Sequence, residues 1–344
     1  MRVSRRVAPL LVGTVVVLAA AMVVLLLIRG DDDGKTPRHV AQPSPTLPVP
    51  DELPEGSAVE QALTVVPRGA EVVTVTDWDA IRARFGVPDL TSTDLMSDRT
   101  AFWTKAEREA VLLTDGLLLD DNSALMLDHG FTQDDVDWEA RWSGEAGSGY
   151  ALRMRPDLDM AAVQDAVDAA VGELAGATVD ADQHLVTEGT VEGLVWASDP
   201  TLVDLAAAPE ETTYLHRGCL PLDEALGPDA SFEDQDALLA QHDITDLDAL
   251  DAFAITYGDA IGTAWLGPDR DDLFERGDLV RDWPVTGSVG PLDAYAAEPA
   301  VEPTSGRLGF QVEDPQAAAT LTLTGQLPFA VCNEVVPFDE PTGL

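Results

Sequence analysis

The sequence predicts an α+β fold, mainly antiparallel sheets with packed helices, preceded by one transmembrane helix. Three observations predict it. Residues 7–28 form an unbroken uncharged run. Short alternating segments pair off across glycine-containing links, the signature of antiparallel hairpins. Single helical stripes opened by Asp or Asp-Pro fall between those pairs, which favours helices layered on antiparallel sheets over a parallel α/β arrangement.

The N-terminal run comes first. At about 1.5 Å per residue it reaches roughly 33 Å, enough for a bilayer core of about 30 Å. Arg2, Arg5 and Arg6 precede it, whereas Arg29 on its far side is followed at once by Asp31, Asp32 and Asp33. The positive-inside rule then puts residues 1–6 in the cytoplasm as a basic tip and the rest outside. A cleaved signal peptide would end its apolar region sooner; here Val23 to Ile28 continue past the small residues Ala19-Ala20-Ala21. Residues 29–56, with Pro37, Pro43, Pro45, Pro48, Pro50 and Pro54, have too little apolar surface to fold and read as a stalk. Residues 57–344 remain for an acidic extracytoplasmic domain, with a subdivision placed near 225–245.

Charge narrows the partners. The chain has 62 acidic residues against 20 basic ones, a formal net charge of −42. Such a field repels nucleic acid and anionic headgroups, and favours cations or plain solubility. Cys219 and Cys332 are the two cysteines. Outside the cytoplasm they are expected to form a disulfide, which would tie the middle of the domain to its end.

Within the domain, 72–76 reads as a β-branched strand. Asp77 then caps a helix that carries Trp78, Ile81 and Phe85 on one face. A second helix is expected over 98–113. Val136, Trp138, Ala140 and Trp142 alternate with Asp137, Glu139 and Arg141, a half-buried strand that pairs with 150–154 across the glycine-rich 143–149. Met160, Val163, Val167, Val171 and Leu174 make one stripe of a helix over 158–174. Hairpins are expected for 184–188 with 194–197 and for 252–257 with 261–266. Asp199-Pro200 and Asp314-Pro315 open further helices, and 328–334 reads as a last strand. The run 309–315 echoes 149–156, which raises two halves of related plan, although the identity is too thin to define a repeat.

Chemistry is sparse. Gly144, Gly147 and Gly149 with Ser148 join two strands and lack the Gly-Lys-Ser/Thr of a phosphate loop. No Gly-x-Ser-x-Gly elbow occurs, and the histidines His39, His129, His184, His216 and His242 have no zinc spacing. Asp128-His129 is at most half of a triad. His216 with Cys219 and Cys332 could hold a soft metal only if the cysteines were free. The acid clusters Asp134/Asp135/Asp137, Asp234/Asp236 and Asp269/Asp271/Asp272 do not reproduce a calcium loop. No catalytic, cofactor or metal residue is therefore assigned. Trp78, Trp138, Trp142, Trp196 and Trp265 read as core, with an aromatic sugar platform as the alternative.

Pro67 through Ala80, Phe131-Thr132-Gln133-Asp134-Asp135-Val136-Asp137-Trp138, and Leu327-Pro328-Phe329-Ala330-Val331-Cys332-Asn333-Glu334 resemble uncharacterised actinobacterial membrane-anchored extracytoplasmic proteins. The resemblance extends over most of residues 65–344 and carries no catalytic residue. A composition with Lys35 and Lys105 as the only lysines fits that GC-rich lineage, or a salt-adapted organism. The expected role is a non-enzymatic binding or scaffold protein whose partner is an envelope protein, a wall component or a cationic ligand. An extracytoplasmic hydrolase with a scattered site, and a Ca2+-binding ectodomain, are the alternatives.

Overall fold

The computed structural model describes residues 53–335 apart from 146, 190–193, 207 and 209. The expected basic tip, transmembrane helix and stalk up to residue 52 lie outside the described residues. Among the described residues no helix is long and apolar enough to cross a membrane.

The described chain is α+β: eleven α-helices pack on a ten-stranded antiparallel sheet. In chain order the elements are α1 (Ala58–Leu63), β1 (Val72–Asp77), α2 (Trp78–Arg84), α3 (Met96–Glu109), α4 (Asn122–Asp128), β2 (Val136–Gly144), β3 (Gly147–Met154), α5 (Met160–Asp168), β4 (Thr178–Asp180) and β5 (Leu185–Glu188). There follow α6 (Pro200–Leu205), β6 (Thr212–Arg217), α7 (Leu222–Leu226), α8 (Phe232–Leu239), β7 (Ala252–Gly258), β8 (Ile261–Trp265), α9 (Leu273–Asp282), α10 (Pro291–Ala294), β9 (Ala300–Glu302), β10 (Arg307–Gln311) and α11 (Pro315–Leu323).

The sheet runs β4-β5-β3-β2-β1-β6-β7-β8-β10-β9. Read outward from the central β1–β6 pair, both wings have the same order: first, second, third, fifth, fourth. Helices sit at matching places too, with α1 before β1 and α6 before β6, and with α5 and α9 after the third strand of each wing. The sequence echo between 149–156 and 309–315 is therefore not the structural correspondence. It aligns β3, a third strand, with β10, a fifth strand; the counterpart of β3 is β8. The described residues belong to one compact unit, and the sheet passes without a break through the point near 225–245.

Strand alternation sets the layers. Val73, Val75, Ala140, Leu215 and Ala254 point to the back face, where α1, α6 and Trp196 cover them. Tyr150 and Leu152 face forward onto α2, α3 and α5, while Phe253, Ile255, Leu308 and Phe310 face forward onto α7, α9 and α11. The central strand β6 was not legible as a strand because it is covered on both faces and does not alternate.

Local signals fixed several helix starts. Asp77 accepts from Ala80 N, Asp199 from Thr201 N, and Asp314 from Gln316 N and Ala317 N; proline occupies the first turn after the latter two. Four expectations differ from the structure. The 158–174 helix stops at Asp168, because Ala170 (φ 53°) and Gly172 (φ 48°) are left-handed; Leu174 still reaches the core from a separate 3-10 turn. The partner of 185–188 is β4, on its other side β3, and not 194–197. Trp196 begins a 3-10 turn whose indole donates to Ala70 O at 3.2 Å. Residues 328–330 form a 3-10 turn instead of a strand, because buried Arg276 claims the carbonyls of Phe329 and Val331. The second expected helix ends at Glu109, where Ala110 turns extended, and Val111 and Leu113 enter the core from the segment that follows.

Cys219 and Cys332 are bonded, with Cα atoms 4.9 Å apart and a sequence separation of 113. The bridge stands beside the isolated Leu220–Val331 parallel contact, which holds residues 331–332 against the segment that follows β6. It also removes the soft-metal arrangement of His216 with free thiols. A loop of this length predicts that Cys219→Ser/Cys332→Ser lowers unfolding free energy by roughly 4–5 kcal/mol. Urea denaturation of oxidised wild type against the double variant measures it, and equal midpoints would refute it.

Candidate functional site

A cleft of about 260 Å³ opens where α1 meets the bottom of β1, β2 and β3, and its charged walls are Asp77, Asp79, Asp137 and Arg153. It owes its shape to a β-bulge. Val136 pairs with Met154 and Trp138 with Arg153, so Asp137 is the extra residue of β2. Val136 accordingly faces forward and Trp138 backward, although simple alternation puts both on one face. A bulge re-aims its extra side chain, and here it turns Asp137 into the cleft.

Asp137 is poorly compensated. Burial is the main cause and the neighbouring Asp79 charge adds to it, against opposing effects of Arg82, Arg155 and Arg153; together they push its carboxyl up to about 7. Its one ion-pair partner among the described residues is Arg82, at 3.5 Å. That guanidinium is 1% exposed and largely committed elsewhere, to the carbonyls of Asp134 (3.2 Å) and Val136 (3.0 Å) and to Asp79 (2.5 Å). Asp77 is also raised, by burial, although the Ala80 amide it caps works against the shift. Burial disfavours the charge of Arg153, while Asp137 and Asp180 favour it.

The remaining walls are closed to chemistry. Gln61 accepts from Trp138 Nε1 at 3.1 Å and donates to Gly56 O at 3.1 Å. The Ser57 amide and hydroxyl both donate to Glu60, at 2.8 and 3.0 Å. No histidine or cysteine is among the residues lining this cleft.

The other candidates fall into structural roles. Asp134 binds Arg99 and Trp103, and Asp135 takes the amides of Ser92 and Thr132. Ser231 caps α8, and the Asp234 carboxylate completes the capping box by accepting from the Ser231 amide and hydroxyl. Asp272 lines a larger cleft of about 360 Å³ together with Asp243, Asp246, Asp248, Asp271 and Glu275, but its carboxylate is already held by Arg270 and Arg276 at 2.7 and 2.6 Å. Among the described residues no three His, Cys, Asp or Glu side chains are grouped to hold a metal ion. His242 has carboxylates on both sides, Glu275 at 2.6 Å and Asp282 at 3.3 Å, and its Nδ1 is hydrogen-bonded to Glu275. His216 lies against Gly218 O at 3.4 Å. Gly144 and Gly147 close the β2–β3 hairpin. Of the tryptophans read as core, four are nearly inaccessible and Trp265 is half-buried beneath Arg307.

Comparison of the chain with protein-family models, with curated proteins and with solved structures returns no match. The site therefore rests on its own geometry. From the sequence, Asp137 falls in an acid cluster and Asp77 reads only as a helix cap, while Asp79 and Arg153 carry no signal of their own. Only the bulge, which no local pattern announces, brings them together.

A raised carboxyl makes a signed prediction. Between about pH 4 and pH 7 the folded state holds a proton that the unfolded state has released, so this group's contribution to stability declines as pH rises through that window. The loss is on the order of 4 kcal/mol at most. Asp137→Asn should flatten the decline, gaining on wild type between pH 5 and pH 8 in urea denaturation. Parallel profiles would show that Asp137 is not the buried acid.

Proposed function

We propose that the chain is a single-pass, membrane-anchored protein presenting a non-enzymatic binding domain outside the cytoplasm. On this reading the Asp137 cleft takes a polar, positively charged group borne by an envelope protein or wall component. The apolar run of residues 7–28, its charge asymmetry and the resemblance to actinobacterial membrane-anchored proteins support the location; the Cys219–Cys332 bond is consistent with an oxidising compartment.

Asp137 carries the binding reading. A carboxyl pushed up to about 7 by burial and a like charge is a site where an incoming cation restores ionisation, so uptake of the cation releases a proton. An organic cation fits better than Ca2+, which needs six to eight oxygen ligands that this cleft does not group.

Calorimetric titration of the detergent-solubilised full chain with spermidine checks this. Affinity should rise about tenfold from pH 6 to pH 8 in wild type, following ionisation of Asp137. It should be flat in Asp137→Asn and unchanged by the surface control Asp229→Asn. Identical, salt-suppressed binding in all three would mean diffuse attraction to an acidic surface.

A hydrolytic reading draws on the same residue. A carboxyl that is protonated near neutral pH, beside other carboxylates in a cleft, is a general acid in waiting. Release of reducing ends from wall glycan by wild type, lost in Asp137→Asn, would replace the binding reading.

A further inference from the structure

Arg153 stands apart from every other arginine of the described residues. Buried Arg82, Arg99, Arg270 and Arg276 and half-buried Arg84, Arg155 and Arg217 all donate hydrogen bonds. The more exposed Arg68, Arg108, Arg141, Arg281 and Arg307 each face a carboxylate within ion-pair distance. Arg153 has neither a hydrogen bond nor an ion pair among the described residues, in a chain with 62 acidic side chains. It is half-buried in the wall of the Asp137 cleft, and burial works against its charge.

The acceptor it lacks is not Asp137. The two lie on paired strands, Arg153 opposite the residue that follows Asp137, and still they do not come within ion-pair distance. The bulge holds apart an under-served carboxyl and an unserved guanidinium that open into one cavity. The neutral side of that cavity, Ser57 and Gln61, has its hydrogen bonds satisfied internally. What the cleft lacks is a cation at one point and an anion at another.

Resting on the binding reading above, we infer that the cleft recognises a zwitterion, a free amino acid or short peptide whose ammonium group meets Asp137 and whose carboxylate meets Arg153. The guanidinium presents a planar fork suited to a carboxylate, and Asp77 and Asp79 add negative potential on the ammonium side. A cavity of about 260 Å³ admits one or two small residues and excludes a folded chain.

Calorimetry of the full chain in detergent at pH 8 tests this with four probes: glycine, alanyl-alanine, ethylamine and acetate. Either glycine or alanyl-alanine should bind at least tenfold more tightly than both ethylamine and acetate, and which of the two prevails tells free amino acid from peptide. Asp137→Asn and Arg153→Gln should each remove at least tenfold of that affinity. Arg153→Lys, which keeps charge and bulk, should recover part of it and guards against a folding defect. Ethylamine binding as tightly as the zwitterions, with Arg153→Gln silent, would overturn this inference and leave the cationic reading standing. Acetate binding alone would overturn both, and so would no binding by any probe together with failure of the spermidine titration.

Discussion

A chain this acidic has few cations to spend, and it spends its best ones inside. Arg82 and Arg99 brace the turn that leads into β2, through the carbonyls of Asp134 and Val136 and the side chains of Thr132 and Asp134. Arg270 and Arg276 brace the approach to β7, through Asp248 O, Ala249 O and Asp272. Removing one partner of such a buried pair typically costs about 3–5 kcal/mol, because the other charge is left in a poorly solvating interior. Surface pairs, by comparison, are worth about 0–1 kcal/mol. The fold thus leans on a handful of guanidinium groups that reach backbone carbonyls where regular ladders end.

The matching order of the wings makes their differences informative. Each wing places a braced turn before its second strand, yet only the first has a bulge there. Asp77, at the end of β1, corresponds in position to Arg217 at the end of β6, and Trp138 to Ala252. The second wing therefore has no carboxylate at the position of Asp77; Arg217 stands there and lies over the Trp196 ring. A mixed-charge pocket is the property of one wing, laid over an architecture common to both.

Much of the framework could be read from the sequence wherever one residue dictates local geometry. Asp77, Asp199-Pro200 and Asp314-Pro315 announced helices through capping chemistry, and the β7–β8 hairpin followed from alternation around Gly258-Asp259. Misreadings came where tertiary contacts decide. The carbonyls of Phe329 and Val331 answer to Arg276, which lies far away in sequence, and Trp196 answers to Ala70. β6 is covered on both faces and so loses the alternation that marks a strand. The cleft was least legible of all: Asp77, Asp137 and Arg153 come from three strands, and their meeting depends on one unpaired residue in β2.

Both rims of the sheet are cut short. β4 and β9 have three residues each, with Asp180 and Glu302 at their ends. A wide sheet with long bare margins is a template on which neighbouring molecules can zip together. These stubs offer too little backbone for that and meet any approaching strand with negative charge. Many copies could therefore stand side by side at high density without fusing through their edges, and contact with other molecules would fall to side-chain surfaces and clefts.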